Sequence, residues 1–359
     1  MDVLIAGGGT GGHLFPGLAL AEEIRRTEPD SRILFVGTAR GLETRAVPQA
    51  GFDLELLQVS GLRRTGVRGL VVGLLRLPLA LWQAFSLVRR FKPEVAVSVG
   101  GYAAGPAVLA ARMLGVRCVV MEQNAVPGIT NRMLGLVAHR VIAAMPVKGF
   151  AARKVRLLGN PVRGEMNRVR SREYAPHRPL RVLVLGGSQG ARAVNKLLVE
   201  AIPLCAQRGL ALTVVHQTGN AEKDAVQAAY RAAGVQGVTV QAFINDMASA
   251  YADADLVVAR AGATTIAELT VCGRPAVLIP FPQAAGDHQS ANARALAAEG
   301  AAVHLPQSSV DAEKLADLLI ELAGRPERLA EMASHSRRLG RPEAAAAIVQ
   351  ALAEEVERV

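Results

Sequence analysis

The stretch Gly7-Gly8-Gly9-Thr10-Gly11-Gly12-His13 follows the apolar run Val3–Ala6 and precedes apolar residues at helical spacing between Leu18 and Ile24. This order predicts a turn that joins a β-strand to an α-helix. Such a turn presents free backbone N–H groups and the positive end of the helix dipole, and its glycines let a bound group approach the backbone closely. We therefore expect a polar or anionic group above this turn.

His13 ends the turn at the carboxyl edge of the predicted sheet, where open α/β folds bind ligands. A capping or packing role and a catalytic role are both compatible with this position. A dinucleotide site is disfavoured, because the second predicted strand, Arg32–Val36, is followed by Gly37 and Thr38 and not by the acidic residue that would hold a ribose.

The composition is typical of a folded protein with two or three domains, since the chain has 359 residues, of which 50% are apolar and 20% are charged. A net charge of +10 favours an anionic partner. Aromatic residues make up only 4% of the chain and no nucleic-acid-binding motif is recognisable, so a membrane surface or a phosphorylated substrate is favoured over a nucleic acid.

The three cysteines, Cys118, Cys205 and Cys272, are far apart and lie in apolar contexts, which argues against a disulfide framework and a zinc cluster. Nor do His, Asp and Glu residues cluster at the spacing of a metal site, so we expect no tightly bound metal. The sequence enters a strand directly from Met1 without a basic and apolar leader. These features predict a protein of the reducing cytoplasm.

Short runs rich in Val, Ile and Leu alternate with helical patterns in the first half of the chain, as in a parallel sheet with helices on both faces. The predicted strands are Val3–Ala6, Arg32–Val36, Glu94–Val99, Arg117–Met121 and Arg140–Ala143. Two further polar loops follow strands at the same edge as His13, one with Gly101 and Tyr102 and the other with Glu122, Gln123 and Asn124. We expect these loops to line a pocket suited to sugar hydroxyls or phosphates.

The segment from Leu56 to Pro93 contains no Asp or Glu, and it combines many apolar residues with seven Arg and Lys residues. No uncharged stretch reaches the roughly 18 residues that a membrane span needs. An apolar face with a basic border is typical of a helix that lies on an anionic membrane, although a core helix with solvated arginines is the alternative. The predicted membrane face comprises Leu75, Leu79, Trp82, Phe85, Arg89 and Arg90.

The second half repeats this plan. After a polar stretch that ends at Pro179, the apolar run Leu180–Leu185 leads into Gly186-Gly187-Ser188-Gln189-Gly190 and a helical pattern. Two such turns predict two similar α/β domains that face each other across a cleft. We place the first domain at residues 1–160 with a returning C-terminal helix at 341–359, and the second at residues 161–340.

The run Arg260–Thr265 follows a strand and opens a helix in this second domain. The free N–H groups of Ala263, Thr264 and Thr265 are predicted to receive a diphosphate. Glu268 lies one turn further on, where it can accept hydrogen bonds from a ribose diol. The alternative is a carboxylate that simply favours the first turn of a helix.

The motifs GGGTGGHLFPGLALAEE, GGYAAGPA, EQN followed by PGITNR, GNPVR, GGSQGAR, FINDM, RAGATTIAEL and DHQSANA occur along the chain in this order. On these motifs the chain resembles, over essentially its full length, the bacterial MurG glycosyltransferases of glycosyltransferase family 28. The resemblance implies a GT-B fold of two Rossmann-like, doubly wound parallel-sheet domains. It also implies inverting transfer of N-acetylglucosamine from UDP-N-acetylglucosamine (UDP-GlcNAc) to the C4 hydroxyl of the N-acetylmuramoyl sugar (MurNAc) of lipid I, which gives lipid II and UDP in peptidoglycan synthesis.

The resemblance also implies roles for individual residues. Those next to the sugar of the donor are Thr10, Gly11, Gly12, Asn124 and Gln289, and those on its diphosphate side are Arg163 and Ser188. Ile244 flanks the uracil through its backbone, and the phosphates and ribose are held by Ala263, Thr264, Thr265, Ile266, Ala267 and Glu268. Met121 and Ala261 stand where some relatives have a histidine and a serine, so neither supplies a polar group here.

Our hypothesis for catalysis is that His13 is the general base, with orientation of the donor as the competing role. The implied location is the cytoplasmic face of the inner membrane, on which the protein is peripheral, without a required metal cofactor. The alternatives are a UDP-GlcNAc 2-epimerase, another UDP-sugar transferase of the GT-B type, and a non-enzymatic UDP-sugar-binding protein of the membrane surface.

Overall fold

A computed structural model describes residues 1–39, 41–59, 66–187 and 190–358; it describes the backbone but not the side chains of residues 66–77 and of Ala285. These residues form two compact units. The first comprises Met1–Val162 together with Pro342–Val359, and the second comprises Arg163–Arg341.

The first unit is built on a sheet of seven parallel strands in the order β3-β2-β1-β4-β5-β6-β7. The strands are β1 Val3–Gly7, β2 Ile33–Gly37, β3 Asp53–Leu56, β4 Val95–Gly100, β5 Arg117–Glu122, β6 Arg140–Ala143 and β7 Val155–Leu157. The helices between them are α1 Gly11–Thr27, α2 Glu43–Gln49, α3 Gly66–Phe91, α4 Ala104–Met113 and α5 Ile129–Val137. The strand order reverses between β1 and β4, which is where doubly wound sheets bind ligands.

Successive side chains of the central strands point to opposite faces of the sheet, so the core of this unit has two parts, one on each face. Val3 and Ile5 of β1 pack with α1 on one face, whereas Leu4 and Ala6 pack with α3, α4 and α5 on the other. Because both faces are covered, every residue of β1 is buried. This explains why the central strands are continuous apolar runs in the sequence.

The second unit is a sheet of six parallel strands in the order β10-β9-β8-β11-β12-β13. The strands are β8 Leu180–Leu185, β9 Leu212–Gln217, β10 Val238–Gln241, β11 Leu256–Ala259, β12 Ala276–Leu278 and β13 Ala302–His304. The helices are α6 Met166–Arg170, α7 Arg192–Gln207, α8 Lys223–Ala232, α9 Met247–Asp253, α10 Ala263–Cys272, α11 His288–Ala298, α12 Ala312–Ala323 and α13 Pro326–Leu339. The two units therefore share the doubly wound plan that the repeated glycine turns predict.

The sequence predicts β9, β11 and β12 from the apolar runs Leu212–His216, Asp255–Ala259 and Ala276–Pro280. Four strands are absent from the sequence-based prediction, namely β3, β7, β10 and β13. Each of them lies at an edge of its sheet. Edge strands are covered on fewer sides, and most residues of these four are exposed or only half-buried. They consequently lack the long apolar run by which the central strands are recognised.

The structure corrects the interpretation of the acid-free segment in two respects. Leu56 belongs to the strand β3, and the described part of the helix α3 is Gly66–Phe91. Phe85, predicted to face a membrane, packs against the core beside α4, because it is close to the buried Ala84 and Val88 on the helix surface. Leu79 and Trp82 are 43% and 68% exposed, respectively, as predicted for an outward face.

Arg89 and Arg90 are also exposed at the end of α3, and Arg90 donates to Glu55 of β3 at 2.5 Å. Leu75 belongs to the part of α3 whose side chains are not described. Within the described residues, no helix combines the length and the apolar composition that crossing a membrane would require.

The last helix, α14 Ala344–Val356, completes the first unit. Ile348 and Leu352 are fully buried in the core on the α1 side, and each contributes about 2 kcal/mol through apolar burial. Glu355, whose side chain is 4% exposed, accepts hydrogen bonds at 3.0 and 2.7 Å from Arg140 at the start of β6. A second arginine, Arg117, lies 4.0 Å from the same carboxylate. This ion-pair cluster fixes the end of the helix to the sheet.

Replacing Glu355 by alanine should destabilise the first unit. The substitution leaves Arg140 and Arg117, which are 16% and 19% exposed, without their carboxylate. A loss of about 3 kcal/mol in the free energy of unfolding is expected. Urea unfolding followed by the fluorescence of Trp82, the one tryptophan of the chain, measures this unit specifically.

Glu354→Ala is the matched control. Glu354 pairs with Arg156 at 2.7 Å with both side chains 35% exposed, so its loss should cost less than about 1 kcal/mol. Equal losses for the two variants would contradict the proposed anchoring role of Glu355.

Candidate functional site

Two glycine turns of the first unit are in direct backbone contact at the carboxyl edge of the sheet. The N–H of Gly8, just after β1, donates to the carbonyl oxygen of Gly100, the last residue of β4, at 3.2 Å. A Cβ atom on Gly101, where φ is +93°, would lie 2.5 Å from the carbonyl oxygen of Gly8. Only glycine fits there, and the contact brings the two predicted loops together.

His13 lies in the first turn of α1 and is half-buried. Its Nδ1 atom is 3.4 Å from the hydroxyl of Thr10. The other side of the ring lies against the second glycine turn, since a Cβ on Gly100 would be 3.0 Å from Nε2 of His13. The imidazole predicted to be catalytic is therefore held between Thr10 and Gly100.

A buried polar network runs from Ser98 in β4 through Asn131 in α5 to Glu122 at the end of β5 and the loop that follows it. Ser98 Oγ donates to Asn131 Oδ1 at 2.7 Å, and Asn131 Nδ2 donates to Glu122 Oε2 at 3.0 Å. Glu122 Oε1 then accepts from the backbone and the side-chain amides of Asn124 at 3.0 and 3.2 Å. The orientation of Asn124, a predicted donor contact, thus depends on residues that do not themselves reach the surface.

Glu122 and Gln123 do not line the surface, contrary to the expectation from the sequence. They are 2% and 1% exposed, and Gln123 Nε2 donates to the carbonyl of Val99 at 3.2 Å. Both side chains point inward, where Glu122 bonds Asn124 and Gln123 bonds the backbone of Val99. Of the residues grouped with them, Gly101 is at the turn and Tyr102 is 48% exposed.

Glu43, at the start of α2, is a component of this site that sequence reasoning missed. Its carboxylate is 1% exposed and accepts from the backbone N–H of Gly9 at 2.8 Å. It also accepts from the backbone N–H and the hydroxyl of Thr38, each at 3.0 Å. The strand β2 ends at Gly37 without an acidic residue, as predicted. Glu43 follows six residues after Gly37, and its carboxylate lies beneath the glycine turn after β1.

In the second unit, the N-terminus of α10 has the geometry predicted for a diphosphate site. The helix begins at Ala263 directly after β11, with Gly262 in extended conformation as its N-cap. The first N–H groups of an α-helix have no partner within it. The hydroxyl of Thr264 is buried and has no hydrogen-bond partner within the described chain. An anion at this terminus would satisfy these donors.

Glu268 follows on the same helix and is 9% exposed. The hydroxyl of the fully buried Tyr251 donates to Glu268 Oε2 at 3.0 Å. Burial raises the pKa of Glu268 to about 7, and the positive charge of Arg163 and the hydrogen bond from Tyr251 offset part of that rise. The carboxyl group therefore changes its charge near neutral pH.

The other predicted donor residues of this unit lie in different loops. Arg163 is partly exposed, 3.6 Å from Glu165, and Ile244 is buried just before α9. Gln289 Oε1 accepts from the backbone N–H of Phe281 at 2.9 Å, which fixes its orientation in the first turn of α11. The prediction for Ser188 falls outside the described residues.

Cys118, Cys205 and Cys272 are buried free thiols, and burial raises the pKa of all three. Among the residues that the structure describes, His, Cys, Asp and Glu form no group of three or more that could hold a metal ion.

Family models match both units. The N-terminal domain of glycosyltransferase family 28 matches residues 3–143, and the C-terminal domain of that family matches residues 181–349. The solved structure of MurG from Acinetobacter baumannii is 34% identical with a TM-score of 0.79, covering 98% of this chain and 99% of that one. The solved structure of a UDP-GlcNAc 2-epimerase from Neisseria meningitidis, bound to UDP-GlcNAc, has a TM-score of 0.67 and covers 99% of this chain and all of that one. Its sequence identity is 13%, so this similarity is one of fold alone.

Curated relatives are similar over at least nine tenths of their length. A protein of Anaeromyxobacter sp. (strain Fw109-5) is 49% identical, covering all of this chain and 94% of the relative, and one of Myxococcus xanthus (strain DK1622) is 48% identical, covering 96% and 90%. Both are named UDP-N-acetylglucosamine--N-acetylmuramyl-(pentapeptide) pyrophosphoryl-undecaprenol N-acetylglucosamine transferase. The chain, with the two doubly wound units of a GT-B glycosyltransferase, belongs to glycosyltransferase family 28.

Proposed function

We propose that this protein transfers N-acetylglucosamine from UDP-GlcNAc to the C4 hydroxyl of the MurNAc of lipid I, with inversion at the anomeric carbon, giving lipid II and UDP. The observation that carries this proposal is the 49% identity, over the whole chain, to a transferase named for that reaction. The epimerase alternative is not favoured, because the likeness to epimerases is one of fold at 13% identity.

The second unit binds the donor in this proposal. The N-terminus of α10, formed by Ala263, Thr264 and Thr265, receives the diphosphate. Arg163, whose charge acts on Glu268 of the same helix, adds positive charge. Glu268 accepts hydrogen bonds from the ribose hydroxyls. As the bond to the anomeric carbon breaks, these donors stabilise the negative charge that develops on the departing UDP, without a required metal ion.

The first unit supplies the base. The C4 hydroxyl oxygen attacks the anomeric carbon as its proton passes to a ring nitrogen of His13, and the electrons of the breaking C–O bond leave with UDP. Asn124 meets the hydroxyls of the donor sugar. The contacts of His13 with Thr10 and Gly100 support this role, because a general base needs a fixed ring orientation.

The proposed location is the cytoplasmic face of the inner membrane, with lipid I and anionic lipids as partners. Exposed Leu79 and Trp82 of α3 support this, and α5 adds Ile129, Met133 and Leu136, which are 57%, 66% and 79% exposed along one side of the helix. A hollow of about 840 Å³ beside α5 is lined by six Arg and Lys side chains and one carboxylate. Apolar side chains next to excess positive charge suit an anionic membrane.

His13→Ala should lower kcat by roughly 10²- to 10⁴-fold, the usual contribution of a general base, and should leave the Kd for UDP-GlcNAc within about twofold. The assay measures transfer of labelled N-acetylglucosamine to a soluble lipid I analogue in the presence of EDTA. His335→Ala is the control, because His335 bonds only the backbone oxygen of Glu299 in the described contacts, at 2.7 Å. Near-normal turnover of His13→Ala with an unchanged pH profile would exclude His13 as the base.

Binding of UDP-GlcNAc should weaken as the pH falls from about 8 to about 6. Burial raises the pKa of Glu268 to about 7, so the group is mostly protonated at the lower pH, and its ionised form is the better acceptor for ribose hydroxyls. Below pH 7 the Kd should rise by up to about tenfold per pH unit. Titration calorimetry should show this slope for the wild type and a weak, pH-independent Kd for Glu268→Gln; the same slope in both proteins would refute the assignment.

Membrane binding should depend on the outward faces of α3 and α5. Trp82→Glu and Leu136→Glu should each weaken binding to vesicles containing phosphatidylglycerol by roughly tenfold, because an apolar contact is replaced by a repelled charge. Gln49→Glu carries the same charge change on exposed α2 and is the control. If all three variants sediment with the vesicles like the wild type, these faces do not contact the membrane.

A further inference from the structure

Glu43 has no role in the mechanism above, yet the first glycine turn is built around it. A Cβ atom on Gly8 would lie 2.5 Å from Glu43 Cδ, and one on Gly37 would lie 2.5 Å from Glu43 Cγ. One on Gly41 would lie 1.8 Å from Glu43 Oε2. Gly8 after β1, Gly37 at the end of β2 and Gly41 before α2 thus leave room for a single carboxylate.

The hydrogen bonds of this carboxylate connect three elements. Glu43 Oε2 accepts from Gly9 N–H at 2.8 Å, and Oε1 accepts from the backbone and the side chain of Thr38 at 3.0 Å each. Gly9 is exposed to solvent, whereas the carboxylate that binds its N–H is 1% exposed. The hydrogen bond to Glu43 therefore fixes the peptide group of Gly9, in an exposed turn, against a buried acceptor.

The position of this peptide group affects His13 through short backbone links. Gly8 donates to Gly100 at 3.2 Å, and the ring of His13 lies against Gly100. Further along the same turn, the carbonyl of Thr10 accepts from the N–H of His13 at 3.2 Å and so begins α1. A shift of the peptide at Gly9 would displace both supports of the imidazole.

We propose that Glu43 is a positioning residue for the transfer reaction, which holds the Gly7–Gly12 turn so that His13 faces the acceptor hydroxyl. This rests on the proposed function, in which His13 is the base. A purely structural carboxylate would affect stability alone, whereas a positioning residue affects the rate in the folded protein.

The test is Glu43→Gln, which keeps the shape of the side chain. Whichever way its amide is oriented, an NH₂ group faces the N–H of either Gly9 or Thr38, so one of these bonds is lost. We expect kcat to fall roughly 10- to 100-fold while the KM for UDP-GlcNAc changes by less than about twofold. We also expect the ¹H–¹³C resonance of the His13 ring to shift relative to the wild type.

Glu355→Gln is the matched control, because it alters another buried carboxylate of the same unit away from the glycine turns. It should lower stability but leave kcat and the His13 resonance unchanged. A kcat of Glu43→Gln within about twofold of wild type, with an unmoved His13 resonance, would overturn the proposal. A wild type without transferase activity would instead refute the proposed function, and the His13 resonance would still report on positioning.

Glu43→Asp decides the question if the glutamine variant does not fold. Aspartate keeps the charge but is one methylene shorter, so it cannot hold Gly9 and Thr38 at once. The same fall in kcat supports the proposal, and turnover equal to that of wild type overturns it.

Discussion

The close approach of two backbone turns at the carboxyl edge of the first sheet is the constraint on which the rest of this unit depends. Gly8 bonds Gly100, and Gly101 leaves no space for a side chain above Gly8. The contact lies at the reversal of strand order, where the helices after β1 and β4 diverge to opposite faces and open a space above the sheet. It places a helix terminus, an imidazole and a polar loop around that space with little freedom.

The two units use the same architecture with different chemistry at the turns. In the first unit, the buried carboxylate of Glu43 accepts a hydrogen bond from the N–H of Gly9 in the turn after β1. In the second, the buried hydroxyl of Thr264 at the terminus of α10 has no hydrogen-bond partner among the residues that the structure describes, and burial raises the pKa of Glu268, one turn further on, to about 7. A fold of this type fixes where ligands bind, and the side chains beneath the turns determine which ligand is accepted.

The central strands, the glycine turns after β1 and β4 and the helix at Ala263 could be predicted, since burial on both faces and the backbone requirements of turns leave direct marks in sequence. The edge strands β3, β7, β10 and β13 could not, because half-exposed strands show no continuous apolar run. Inward and outward polar residues at a strand end look alike in sequence, which is why Glu122 was predicted at the surface. Glu43 was missed because its partners, Gly9 and Thr38, come together only in the folded chain.

The return of α14 to the first unit has a consequence for biosynthesis. Ile348, Val349, Ala351 and Leu352 of α14 belong to a core whose other buried members lie before residue 162, and Glu355 fastens the same helix to the sheet. A ribosome therefore releases these residues only after every strand of the second unit has emerged, and until then an apolar surface beside α1 stays uncovered. The second unit is contiguous in sequence, and all of it is synthesised before α14. During translation the second unit can therefore be completed before the first, although the first begins earlier along the chain.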